Sequence, residues 1–120
     1  MARDVRTIER FERPEGSLVL TARDTSEGLR YEVVVGGRVA MGIGDGHSER
    51  ILVDQVMAAL ASAEASKVLL GGLGLGLSLR RLLDHSRVVA VQVVELEPAV
   101  IRWNRGVLEE VNGGALSDPR

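Results

Sequence analysis

A chain of 120 residues, 45% of them hydrophobic and 27% charged, is too apolar for intrinsic disorder and long enough for one small domain or part of a larger one. Its formal charge of −2 gives no basic excess for binding nucleic acid through phosphates or for holding to an anionic membrane. With no cysteine, a disulfide framework, a thiolate zinc site and an iron–sulfur cluster are excluded.

Phe11, Tyr31 and Trp103 are the only aromatic residues, too few for a stacking surface along single-stranded nucleic acid. The charged start lacks the apolar core of a secretory signal. The longest nearly uncharged run, Val68 to Leu79, falls well short of the ~20 residues of a membrane span. These features lead us to expect a cytoplasmic, soluble protein.

In chain order, Met1 to Arg13 is dense in charge and reads as a flexible lead-in or a short, loosely docked helix. Pro14-Glu15-Gly16 punctuates. Ser17 to Arg23 and Leu29 to Ile43 read as strands, the second broken by Gly36-Gly37 between Tyr31 to Val35 and Arg38 to Met41. A small antiparallel hairpin or meander follows from this. Gly42 to Gly46 is the next loop, and Ser48 is the expected N-cap of a helix to about Ala65, with Leu52, Val56, Ala59/Leu60 and Ala63 facing the core. Lys67 to Leu70 is a short strand, and glycines alternate through the turn behind it. Leu77 to His85 is a helix with Leu79, Leu82 and Leu83 inward. The β-branched run Val88 to Val94 reads as a strand buried on both faces. Pro98 opens a last helix whose apolar side holds Val100, Ile101, Asn104, Val107, Leu108 and Val111, and Gly113-Gly114 stops it. Strand, glycine loop, helix, strand and helix make a βαβ unit plus a helix.

The loop Gly71-Gly72-Leu73-Gly74-Leu75-Gly76 carries the chemistry. Glycines let the backbone turn tightly and let a ligand approach where a Cβ would clash. The helix behind them presents unpaired N–H groups. Glu95 closes the following strand 19 positions after Gly76, the spacing at which a carboxylate can accept hydrogen bonds from ribose hydroxyls. A dinucleotide fingerprint starting at Gly72 needs glycine at position 77, and a phosphate loop from Gly71 needs lysine there; both fail on Leu77. The remaining register, Gly72, Gly74 and Gly76, resembles motif I of the S-adenosylmethionine-dependent methyltransferases.

The similarity extends further. Val68 to Gly76, then Val93-Val94-Glu95-Leu96-Glu97-Pro98-Ala99-Val100-Ile101, and finally Leu116-Ser117-Asp118-Pro119-Arg120 resemble the spermidine synthase-like family of polyamine-type transferases. The resemblance implies an α/β fold: a charged lead-in and β-rich subdomain over 1–46, then a truncated Rossmann-like, methyltransferase-type βαβα unit over 47–120. It implies that Gly72, Gly74 and Gly76 shape a cofactor loop. It further implies that Glu95 holds the ribose of S-adenosylmethionine or decarboxylated S-adenosylmethionine, with Leu96 beside the adenine. Two positions depart from true aminopropyltransferases, which carry Asp at the place of Leu75 and Tyr near Leu52. In the family the catalytic Asp loop lies on strands after the position of Arg120, so the expectation is an N-terminal portion that is inactive alone.

Other candidates have plainer readings. His85 is expected to favour a helix C-terminus, and His47 to be an exposed loop residue. The two histidines form no metal-site spacing. Trp103 is expected to be partly buried. The rival to a nucleoside-binding transferase is a non-catalytic module of the same fold that self-associates as a homo-oligomer through an unpaired sheet edge.

Overall fold

The computed structural model describes residues 4–42, 46–60 and 65–120. The chain divides into two compact units, Met1–Asp45 and Gly46–Arg120.

The first unit is a four-stranded antiparallel meander, β1 (Val5–Phe11), β2 (Leu18–Thr25), β3 (Gly28–Val35) and β4 (Arg38–Gly42), in that spatial order. Val35 pairs with Arg38 across a two-residue turn. Gly36 and Gly37 both hold positive φ, +56° and +80°, as the tight hairpin turn that suits strand twist requires. Within the lead-in, Val5–Phe11 is neither a loose tail nor a helix but a strand that pairs with β2, with a bulge between Thr7 and Glu9. An edge strand needs no apolar stripe on a solvated side, and its charges and bulge guard against pairing with another chain.

In the second unit α1 (His47–Ala59) precedes β5 (Ser66–Gly71), α2 (Leu77–Asp84) and β6 (Val88–Val94). Then come α3 (Pro98–Asn104), α4 (Glu109–Asn112) and a single 3-10 turn, Ala115–Ser117. β5 and β6 are adjacent and parallel, Val68 beside Val91 and Leu70 beside Val93. Val53 and Met57 of α1, Leu82 of α2 and Val88 form a buried cluster, and Val68, Leu70 and Val91 pack on it. The mixed α/β fold is therefore the one expected.

Several details differ. The cap of α1 is Gly46, not Ser48. The helix ends at Ala59, and β5 already begins at Ser66, so no helix reaches Ala65. Its core face is Val53 and Met57, whereas Leu52 and Val56 are exposed. Loop residues 43–45, and the core position assigned to Ala63, lie outside the described residues. β6 is not buried on both faces: its Val89 and Val94 are exposed, as is Leu69 of β5. The last helix is two short ones, because the chain turns through Arg105 to Leu108, and Gly113 with φ +66° ends the second. Trp103 is buried rather than partly so. Beyond it, the Val91 N–H donates to the Arg120 carbonyl, which lays the Asp118-Pro119-Arg120 segment along β6. No helix among the described residues is long and apolar enough to cross a membrane.

A polar clamp fixes α1 against α2. Arg81 donates from Nε and Nη2 to the two oxygens of Asp54, at 2.8 and 2.9 Å, and His85 Nε2 lies 2.9 Å from Asp54 Oδ1. His85 thus meets a side chain of the neighbouring helix as well as standing at the end of its own. Arg81, and then His85, hold the Asp54 carboxyl down from 3.8 to about 2.

Two outcomes follow. Met57→Ala should cost about 2–5 kcal/mol in urea unfolding, and Leu52→Ala less than about 1 kcal/mol; the reverse order would restore the other helix face. Because Asp54 titrates lower when folded, its contribution is complete above about pH 4 and is lost as pH falls toward 2. Asp54→Asn should flatten the fall of the urea midpoint between pH 4 and 2, leaving the part due to Asp118, which is held down similarly by Arg120.

Candidate functional site

β5 runs straight into the glycine loop, and parallel pairing sets the end of β6 next to it. The Gly72 N–H donates to the Val94 carbonyl at 2.7 Å, which closes the ladder. Glu95 follows directly. Its Oε2 accepts the Leu73 N–H at 2.8 Å and its Oε1 accepts the Glu97 N–H at 3.0 Å. The carboxylate expected to face a sugar therefore stands at the loop, at the carboxyl ends of both strands, where open α/β sheets bind ligands. It also ties the loop to the start of α3. Leu96 beside it is 89% exposed.

The three alternate glycines all hold positive φ: Gly72 +85°, Gly74 +56° and Gly76 +79°. Such values favour glycine. Their surroundings differ. Gly72 is exposed, and a Cβ there would meet nothing within 4 Å. Gly76, the cap of α2, is buried, and a Cβ there would lie 2.5 Å from both Asn104 Oδ1 and Asn112 Nδ2.

Those two asparagines were not singled out by sequence reasoning, which saw Asn104 only as part of a helix face. Both are fully buried. Asn104 Nδ2 donates to the Gly74 carbonyl at 2.7 Å and to the Val100 carbonyl at 2.9 Å. Asn112 Nδ2 donates to Asn104 Oδ1 at 2.8 Å and to the Leu75 carbonyl at 3.3 Å, while Asn112 Oδ1 accepts the Ala115 N–H. Each amide hydrogen and each amide oxygen of the pair has a partner, as burial demands. An asparagine on the apolar side of a helix, with a second one eight positions on, was the available signal.

The remaining candidates lie elsewhere. His85 belongs to the clamp on Asp54, and His47 is not a loop residue but the exposed first residue of α1. Among the described residues no group of three or more His, Cys, Asp or Glu is placed to hold a metal ion.

No protein-family model matches the chain. It is 42% identical over 65 residues to a polyamine aminopropyltransferase of Mycobacterium tuberculosis, a match covering 54% of this chain and 12% of that protein. To polyamine aminopropyltransferase 1 of Streptomyces coelicolor it is 46% identical over 61 residues, 49% of this chain and 12% of the relative. The matched stretch is thus a small part of the length of those relatives. Among solved structures, spermidine synthase from Thermotoga maritima superposes with a TM-score of 0.70 at 22% identity, over 96% of this chain and 38% of that one. A spermidine synthase in complex with the transition-state analogue AdoDATO gives the same values. The resemblance to spermidine synthase-like proteins read from the loop and Glu95 is borne out, and the fold is theirs.

The two outer glycines should respond differently to a methyl group. Gly76→Ala combines a strained φ with contact against buried amides and should cost about 2–5 kcal/mol in thermal or urea unfolding; Gly72→Ala, strained but unobstructed, should cost about 1–2 kcal/mol. Equal losses would show that Asn104 and Asn112 yield to the added carbon.

Proposed function

We propose that the crevice at the carboxyl ends of β5 and β6 binds the adenosyl part of S-adenosylmethionine or of its decarboxylated form, as the nucleoside-binding portion of a spermidine synthase-like transferase. The carrying observation is the Glu95 carboxylate, at the parallel strand ends and bonded to the Leu73 amide of the loop. A carboxylate has about four acceptor positions, and two are used by the Leu73 and Glu97 amides. Vicinal ribose hydroxyls can take the others. At Gly72 the open, side-chain-free backbone admits the nucleoside, and exposed Leu96 offers an apolar surface to the adenine. Gly74 and Gly76 hold the bend from inside.

These residues bind and orient; we assign no proton transfer to them. The sulfonium of a bound ligand would supply the group transferred. Leu75 is buried and carries no charge, so the loop provides no carboxylate for the amine of a decarboxylated ligand. The reading accordingly includes that these 120 residues do not catalyse transfer by themselves, and that the protein works in the cytoplasm with 1–46 as a β-rich leader to a 47–120 core.

A second reading rests on the outer face of β5–β6, where Leu69 is 70% exposed and Val94 is exposed as well. A homo-oligomer would cover it. Calorimetric titration of the full chain with methylthioadenosine and S-adenosylmethionine, next to sedimentation, separates the two. Binding that Glu95→Gln weakens about tenfold, the worth of one charge-assisted hydrogen bond, supports the crevice. No heat at millimolar ligand overturns it, and a purely monomeric chain overturns the second reading.

A further inference from the structure

We propose that Asn104 is a positioning residue of this crevice: through the Gly74 carbonyl it aims the N–H of Leu75 at an oxygen acceptor of the bound nucleoside. The inference rests on the reading of the loop as an adenosyl site and adds to it the group that sets the loop's donors.

The Gly74 carbonyl and the Leu75 N–H belong to one peptide unit. That unit is planar and trans, since the chain contains no cis peptide bond among the described residues, so its C=O and N–H point in opposite directions. Asn104 holds the carbonyl at 2.7 Å from the buried side. The Leu75 N–H is thereby directed away from the asparagine pair. Among the described residues nothing accepts it, nor the N–H of Gly74, whereas three other amides of the loop are engaged: Gly72 on Val94, Leu73 on Glu95 and Gly76 on the Leu73 carbonyl. Buried backbone donors are rarely left without an acceptor, and Gly74 and Leu75 are both buried.

The pair is held too firmly to be incidental. Asn112 locks Asn104 by donating to its Oδ1, and itself grips the Leu75 carbonyl. Only a glycine at 76 leaves room for both amides, because a Cβ there would lie 2.5 Å from each. Two consecutive carbonyls, 74 and 75, are therefore drawn to one side by side chains from α3 and α4, and of the two amides opposite them Gly76 is taken by the Leu73 carbonyl while that of Leu75 has no acceptor among the described residues. The ligand chemistry this suits is an oxygen-bearing sugar or carboxylate, not a cation.

The test uses the full chain, amide-resolved nuclear magnetic resonance and titration with methylthioadenosine. In the wild type, ligand should shift the Leu75 amide and slow its exchange. Asn104→Asp keeps the size and the acceptor for Asn112 but replaces the donor facing the Gly74 carbonyl with an oxygen. It should raise the Kd about tenfold and abolish the ligand-induced shift at Leu75, while β6 amides stay protected. A Kd within twofold of wild type in that folded variant, or a wild-type Leu75 amide that ignores bound ligand, overturns the proposal. If the wild type binds no methylthioadenosine, the adenosyl reading fails by itself. The free protein then decides the positioning claim: altered Leu75 exchange in Asn104→Asp supports it and unaltered exchange overturns it. Should Asn104→Asp not fold, Asn104→Ala, which also removes the donor to the Gly74 carbonyl, is read by the same criteria.

Discussion

Two buried amide side chains, Asn104 and Asn112, fill the space that any Cβ at position 76 would need, and the geometry of the second unit follows from that exclusion. An asparagine taken out of water without partners costs a few kcal/mol, so burial is tolerated only where every polar atom is met. Here the partners are the carbonyls of Gly74, Leu75 and Val100, the N–H of Ala115 and each other. In a dry interior such bonds are strong and directional. They leave α3 and α4 little freedom to slide against the loop, and they give the loop one shape. An apolar pair in the same space would fill it but would strand the two loop carbonyls.

Around this point the unit is held asymmetrically. One face of β5–β6 carries α1 and α2, sealed by Val53, Met57, Leu82 and Val88 and pinned by Arg81 and His85 on Asp54. The other face presents Leu69 and Val94 to solvent. The glycine loop and Glu95 lie where strands, helix start and α3 converge. Glu95 bonds both the loop and the first residue before α3, so the orientation of the acid at the strand end is set by backbone donors.

What could be read from residues alone divides by range. The meander was legible because alternation and Gly36-Gly37 are local signals, and the βαβ order because apolar runs and glycines mark its joints. β1 was not, since an edge strand alternates charge with Val5, Thr7 and Phe11 and resembles a solvated tail. The face of α1 was ambiguous in principle: Leu52, Val56 and Leu60 make as good an apolar stripe as Val53 and Met57. Tertiary partners decided it, because the buried orientation is the one that also turns Asp54 to α2. β6 gave the wrong burial for a related reason, as its β-branched run states what the strand could pack against and not what covers it. Glu95 was found by spacing; Asn104 was not, because its loop partner, the Gly74 carbonyl, is 30 residues away and no periodicity encodes that meeting.

The alternating glycines look equivalent in sequence, yet they answer to different constraints. At Gly72 the demand is conformational, with open space beyond, so a side chain there would intrude on whatever approaches from solvent. At Gly76 the demand is internal, set by two amides that already occupy the room. A glycine register is therefore not a row of ligand contacts. One end of this loop has open space beyond its glycine; the other is bare so that α3 and α4 can come close. The distinction explains why a match to the register speaks for the fold more strongly than for the ligand, and why the ligand question turns on Glu95.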